Sequence, residues 1–281
     1  MNATGEPRRI WLCADDYGIS PAVNTAIRDL VVRGRLNAVS VLVIAPSFYR
    51  AEAVALDVLN ATAPRVSIGL HLTLTAPFRP LSTGFAPLEG DHFMPLAATL
   101  RHALLRRFEP AALEAEITRQ VEAFRSLFGR TPDFIDGHQH VHLFPQIADA
   151  LLKVVRTAAP LAWLRQCGRV TPLRTRFADR KGLLLDILSR RFRRRAARSR
   201  LATNPSFAGT YAFEPDADFA AMFPGFLDRL PDGGVVMCHP GFVDEELRRL
   251  DPLTTLRERE YAYLAGDQFP SVLSARGVTL A

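Results

Sequence analysis

Arg9-Ile10-Trp11-Leu12-Cys13-Ala14-Asp15-Asp16-Tyr17-Gly18-Ile19-Ser20-Pro21 sets the fold class of this chain. Arg9 to Ala14 is a short apolar run of the kind that becomes a buried strand. Asp15 to Gly18 gives a polar loop at the strand's C-terminal end, and Ser20-Pro21 gives an N-cap and a first-turn proline for a helix through about Val32. The same unit of strand, polar loop and helix recurs along the chain. Asn37 to Ile44, Arg65 to Leu70, Thr131 to Asp136, Leu161 to Leu164, Gly233 to Cys238 and Val278 to Leu280 read as further strands. Helices are expected from about Phe48 to Leu59, Pro110 to Phe128, Pro145 to Thr157, Asp216 to Leu230 and Leu253 to Ala265.

Strands alternating with helices imply a parallel sheet with right-handed crossovers. No G-x-G-x-x-G follows the first strand, which removes the main support for a dinucleotide-binding fold. The expectation is a single α/β domain over 1–281, a (β/α) barrel that is TIM-barrel-like, with a distorted or incomplete ring. From Thr75 to Phe108 the pattern weakens into Pro and Gly punctuation, and an irregular insertion over about 75–108 is expected there. A hydrophobic fraction of 48% with 23% charged residues excludes a disordered chain. The absence of an apolar run of about 18 residues excludes a spanning helix, and no signal-type apolar region follows the first residues, so a cytoplasmic location is expected. Cys13, Cys167 and Cys238 are odd in number and far apart, which suits small buried thiols better than a disulfide framework or a thiolate metal knuckle.

The polar residues fall where a barrel places its chemistry. Asp15-Asp16 follows the first strand, His71 the third, Ile135-Asp136-Gly137-His138-Gln139-His140-Val141-His142 the fourth, and His239 the late one. Three of the seven histidines crowd into that fourth stretch, a density that points to a metal ion. An extended segment would turn His138, His140 and His142 to one face, with Asp136 ligating directly or orienting a ring from behind. Each signal alone has a plainer reading. An Asp pair before a helix is commonly turn and cap chemistry, and a lone histidine is commonly structural. Their coincidence on one rim argues for a site.

Four segments carry a family resemblance: Ala14-Asp15-Asp16-Tyr17-Gly18-Ile19-Ser20, Gly69 to Thr75, Asp136 to Pro145, and Met237-Cys238-His239-Pro240-Gly241-Phe242. In order and content they resemble the motifs of the YdjC/ChbG carbohydrate deacetylases. That resemblance implies a barrel-like fold and metal-dependent removal of acetyl groups from N-acetylated amino sugars. Carried over by position, it implies that Asp16, His71 and His138 hold one divalent metal ion, that Asp15 is the catalytic base, and that His239 protonates the leaving amine. Asp136, Tyr17 and His140 would lie behind the ligands or against the substrate. A carboxylate with two imidazoles does not choose between zinc and magnesium.

One segment makes the protein basic. Between Arg165 and Arg200 there are 13 Arg or Lys against Asp179 and Asp186, a local balance of +11, within a chain of net charge +6. In the basic amphipathic segment about 169–200, Leu184, Leu185, Leu188 and Phe192 lie at helical spacing and arginines fill most of the C-terminal half. Two readings stand: peripheral contact of 181–200 with anionic lipid at the inner face of the membrane, or a solvated helix packed on the barrel. Nucleic acid is disfavoured because aromatic interleaving is sparse. The membrane reading favours the hopanoid-biosynthesis-associated branch of the resemblance, whose implied substrate is an N-acetylglucosaminyl lipid, over the chitooligosaccharide branch. The competing readings are a metal-dependent phosphoesterase or glycosidase reusing the same ligands, and a non-catalytic lipid-binding protein.

Overall fold

The computed structural model describes residues 6–61, 66–169 and 180–281. In chain order the elements are β1 (Arg8–Tyr17), α1 (Pro21–Val32), β2 (Ala38–Val41), α2 (Arg50–Asp57), β3 (Ser67–Leu72), β4 (Leu88–Glu89), β5 (His92–Phe93), α3 (Leu96–Leu104), α4 (Pro110–Phe128) and β6 (Phe134–Gly137). They continue with α5 (Pro145–Ala158), β7 (Trp163–Leu164), α6 (Arg180–Arg198), β8 (Phe207–Ala208), α7 (Phe219–Leu227), β9 (Val235–Cys238), α8 (Glu245–Leu250), α9 (Thr255–Ala265), α10 (Gln268–Ala275) and β10 (Val278–Leu280).

The main sheet runs β7-β6-β3-β2-β1-β9-β8, with β10 added beside the start of β1. Its strand pairs are parallel. β2, β3, β6 and β9 are buried along their length and β1 from Leu12 onward, as strands covered on both faces must be. The sheet curls until its edges meet. Leu164 bridges to Thr203 and Arg169 to Phe207, and the Leu164 amide donates to the Ala202 carbonyl at 2.8 Å. The result is a distorted (β/α) barrel. Its ring has seven strands among the described residues, one fewer than a TIM barrel, because β10 pairs only with the first residues of β1.

Local chemistry fixes the element ends. Ser20 caps α1, accepting from the Val23 amide, and Pro21 occupies its first turn. α4 spans the predicted residues and stops at Gly129, whose φ of 70° is the left-handed conformation that ends helices. β1 runs past its expected end at Ala14 to Tyr17, and the register with β2 slips between Ala14 and Tyr17. Asp16 sits in that slip at φ 67°. The insertion after β3 is more ordered than its composition suggests: it holds a small antiparallel hairpin, β4 with β5, and the helix α3. Residues 170–179 of the basic segment lie outside the described residues.

Gly69 sets the spacing between β3 and β6. A Cβ there would fall 2.4 to 2.5 Å from the Phe134 ring, which is itself stacked on Trp163 at 4.6 Å between centroids. That close approach lets His71 register against Asp136 two residues later. Gly69→Ala is expected to destabilise the fold by about 1–3 kcal/mol through overpacking. A lowered melting temperature in denaturation experiments checks this; an unchanged one would show that Phe134 yields freely.

Candidate active site

Four strand ends, those of β1, β3, β6 and β9, deliver carboxylates and imidazoles to one place. His71 of β3 lies opposite Asp136 of β6, and Ala14 of β1 lies opposite Cys238 of β9, so Asp15 and His239 follow on adjacent strands. Asp15, Asp16, Asp136 and His71 are all nearly inaccessible to solvent. Charges taken out of water must be paired, and each of these is.

Asp16, His71 and His138 offer ligand atoms that all lie within 4.8 Å of one another. Asp16 Oδ1 is 3.3 Å from His71 Nε2 and 3.0 Å from His138 Nδ1. The other side of the His71 ring is held. Asp136 Oδ1 lies 2.6 Å from His71 Nδ1 and also accepts from the Ser40 hydroxyl at 2.5 Å. This leaves His71 Nε2 turned toward Asp16, the carboxylate–histidine arrangement that orients metal-ligating rings. Asp16 Oδ2 accepts from the buried Arg257 guanidinium at 2.6 Å. The donor set of one carboxylate and two imidazoles fits a single divalent cation.

A second cluster, Cys13, Asp15 and Asp136, also brings possible ligand atoms together. Arg165 already fills it. Its guanidinium donates to both oxygens of Asp15 at 2.6 Å, lies 2.5 Å from Asp136 Oδ2 and 2.9 Å from Cys13 Sγ, and is itself fully buried. A cation in that position argues against a second metal there.

The electrostatics follow from these pairings. Burial alone would raise the Asp16 carboxyl, but Arg257 and His138 hold it well below the usual carboxylate range. Burial likewise opposes the charge on Asp136, and Arg165 and His71 lower it. Burial also opposes a charged His71, yet Asp136, Asp15 and Asp16 outweigh it and push the imidazole up to about 10. Burial pushes His140 and His142 down to about 3, with the nearby cationic groups adding to the effect.

The structure separates the three clustered histidines. After Gly137 the chain does not stay extended: His138 to Leu143 forms a 3-10 turn, with Gln139 at φ 52° and His140 at φ 60°. The alternation that would put the rings on one face is therefore lost. His138 reaches Asp16. His140 packs its ring edge on Phe207 and sets Nδ1 3.6 Å from the Cys167 sulfur. His142 donates Nε2 to the Arg165 carbonyl at 2.8 Å and packs on Phe192, a supporting position beneath the site. Tyr17 is not brought to the site. The slip at Asp16 sends its buried hydroxyl the other way, to the Glu52 carbonyl at 2.8 Å and to Arg28.

His239 stands on the rim with its ring edge against the half-exposed Phe213, and its Nδ1 lacks a hydrogen-bond partner among the described residues. Its backbone amide donates to Glu260, which also accepts from the Tyr211 hydroxyl at 2.6 Å. Arg257 and Glu260 thus present one face of α9 to the site. From sequence alone Arg257 and Glu260 fall in the helix after the late motif and suit a structural ion pair or the rim equally, and Arg165, Ser40 and Tyr211 receive no site role. Arg165 had a readable signal, since it directly follows β7 as the other rim residues follow their strands, but it also opens the basic run.

With this geometry the comparisons are informative. The family model for YdjC-like protein matches residues 9–275. This chain belongs to the YdjC-like protein family. A "Chitooligosaccharide deacetylase" of Citrobacter koseri is 28% identical over 256 residues, covering 86% of this chain and 85% of that protein. A "Carbohydrate deacetylase" of Geobacillus stearothermophilus is 28% identical over 276 residues, covering 98% and 96%. An Enterococcus faecalis V583 protein assigned provisionally to cellobiose-phosphate cleavage superposes with a TM-score of 0.74 at 21% identity, covering 98% of this chain and 97% of its own. The last likeness concerns the fold alone.

The His71 shift gives a signed pH dependence for the metal-free protein. A group raised from 6.5 to about 10 contributes stability that is fully present below pH 6.5 and lost as pH rises to about 10. Unfolding free energy should fall across that window by up to ~1.4 kcal/mol per pH unit, the slope of one proton. Chemical denaturation at several pH values should show this slope in the parent and not in His71→Asn; equal slopes would place the titration elsewhere.

Proposed function

We propose that this protein is a metal-dependent hydrolase that removes the acetyl group from an N-acetylated amino sugar. The observation that carries the reading is the pairing of a three-ligand cluster, Asp16, His71 and His138, with a separate carboxylate, Asp15, fixed beside it by Arg165. The deacetylases among its relatives supply the substrate class. Zinc and magnesium both suit the donor set.

A divalent cation at Asp16, His71 and His138 would supply Lewis-acid polarisation of the amide and of water. The chain's own residues do the rest. Asp15 takes the proton of the attacking water, its orientation held by the two Arg165 bonds. His239 gives a proton to the leaving amine nitrogen, since an amide anion is too basic to leave. Asp136 and Ser40 hold the His71 ring, and Arg257 holds Asp16. A glycosidase would need two carboxyls flanking the scissile bond; here Asp15 and Asp16 are adjacent in sequence, and Asp16 belongs to the ligand cluster. A phosphoesterase with two metals would need the cluster that Arg165 fills.

Within this class, the favoured substrate is an N-acetylglucosaminyl lipid of the hopanoid type, reached by peripheral contact with the cytoplasmic face of the membrane. α6 supports that contact. Its inner face, Leu185, Leu188, Phe192 and Ala196, is buried on the barrel, whereas Leu184, Ile187, Arg191, Arg194 and Arg198 form an exposed stripe. Near an anionic surface each cation of such a stripe contributes about 1 kcal/mol. No helix among the described residues is long and apolar enough to cross a membrane. A soluble chitooligosaccharide is the second reading, favoured by the Citrobacter relative.

Acetate release should require the metal, stop with a chelator and return on adding zinc or magnesium. Asp15→Asn should lower kcat by about 10²–10⁴-fold, the range for losing a general base, while still binding metal. Activity should be higher on an N-acetylglucosaminyl lipid than on chitobiose. Chelator-insensitive release or an active Asp15→Asn would overturn the chemistry, and full activity on chitobiose with none on the lipid would overturn the substrate.

A further inference from the structure

Past the end of β7 the chain continues along the barrel wall between the bridges Leu164–Thr203 and Arg169–Phe207, and its residues alternate. Arg165 points inward to Asp15 and Asp136, and Cys167 inward to His140. Gln166 and Gly168, the alternate residues, line a cavity of about 370 Å³ on the outside, together with Arg169, Asp186, Arg190, Arg193, Pro205 and Ser206. No catalytic or metal-cluster residue lines it, so the cavity does not belong to the site described above.

Its charge is uneven. Asp186 is engaged by Arg169, accepting from both the backbone amide at 2.9 Å and the guanidinium at 3.0 Å. Arg190 and Arg193, one turn apart on α6, are in no ion pair with a carboxylate among the described residues, so the described lining carries a net positive charge. Ser206, beside them, is buried with its hydroxyl cut off from solvent, so the polar groups that face the cavity are those of the arginines. Two guanidiniums lining one cavity offer the N–H donors that take the acceptor oxygens of a phosphate group.

We propose that this cavity is a phosphate-binding site, independent of the deacetylation chemistry, formed by Arg190 and Arg193. The phosphate belongs either to a soluble phosphate ester or to an anionic lipid headgroup. Isothermal titration of the full-length protein with inorganic phosphate, and with dihexanoyl phosphatidylglycerol below its micellar concentration, tests this. The comparison is between Arg190→Gln/Arg193→Gln and Arg191→Gln/Arg194→Gln, which removes the same charge from the same helix outside the cavity; melting curves show that each variant is folded. The expected result is binding by the parent and by the 191/194 variant, with affinity at least tenfold weaker in the 190/193 variant. Tighter binding of the lipid analogue than of phosphate would assign the headgroup; equal or weaker binding would assign a soluble ester. Equal losses in the two arginine pairs, or no binding of either probe by the parent, would overturn the site.

Discussion

The Arg165 guanidinium between Asp15 and Asp136 is the contact on which the rest of the site depends. All three groups are cut off from solvent, and leaving one of the carboxylates without its partner there would cost several kcal/mol. From this pair a line of alternating charges crosses the barrel: Arg165 to Asp136, Asp136 to His71, His71 to Asp16, Asp16 to Arg257. It ties the end of β7 to β6, β3, β1 and α9. Asp15, Asp16 and Asp136 against Arg165 and Arg257 leave one negative charge, which His71 meets by holding its proton up to about 10. The same imbalance makes Asp16, His71 and His138 a place for a cation.

Much of this was legible before any coordinates. Periodicity and caps located α1, α4 and α5, because Ser20, Pro21, Pro110 and Pro145 act on the backbone within a few residues. Strand ends located Asp15, Asp16, His71, Asp136, His138 and His239, because in a parallel barrel those ends share one rim. The fate of His140 and His142 was not legible, since it turns on two left-handed residues, Gln139 and His140, neither a glycine. Tyr17 was lost for the same reason, at the positive φ of Asp16. The partners Arg165, Arg257 and Glu260 come from separate elements whose approach only the closed barrel decides. The short β8, α8 and α10 lack the length for a periodic signal.

The basic segment packs on the barrel along one face only. Phe192 supports His142 beneath the site, while Leu184 and Ile187 stay exposed beside the arginines. Packing on the inside holds the helix in place, so its cationic side can meet a partner at little ordering cost.

The central claim is that one divalent cation is held by Asp16, His71 and His138, with Arg165 keeping Asp15 and Asp136 out of its coordination. Anomalous diffraction from crystals grown with zinc measures this directly. The account predicts one strong peak within bonding distance of those three side chains; a peak among Cys13, Asp15 and Asp136, or two peaks bridging both clusters, would contradict it.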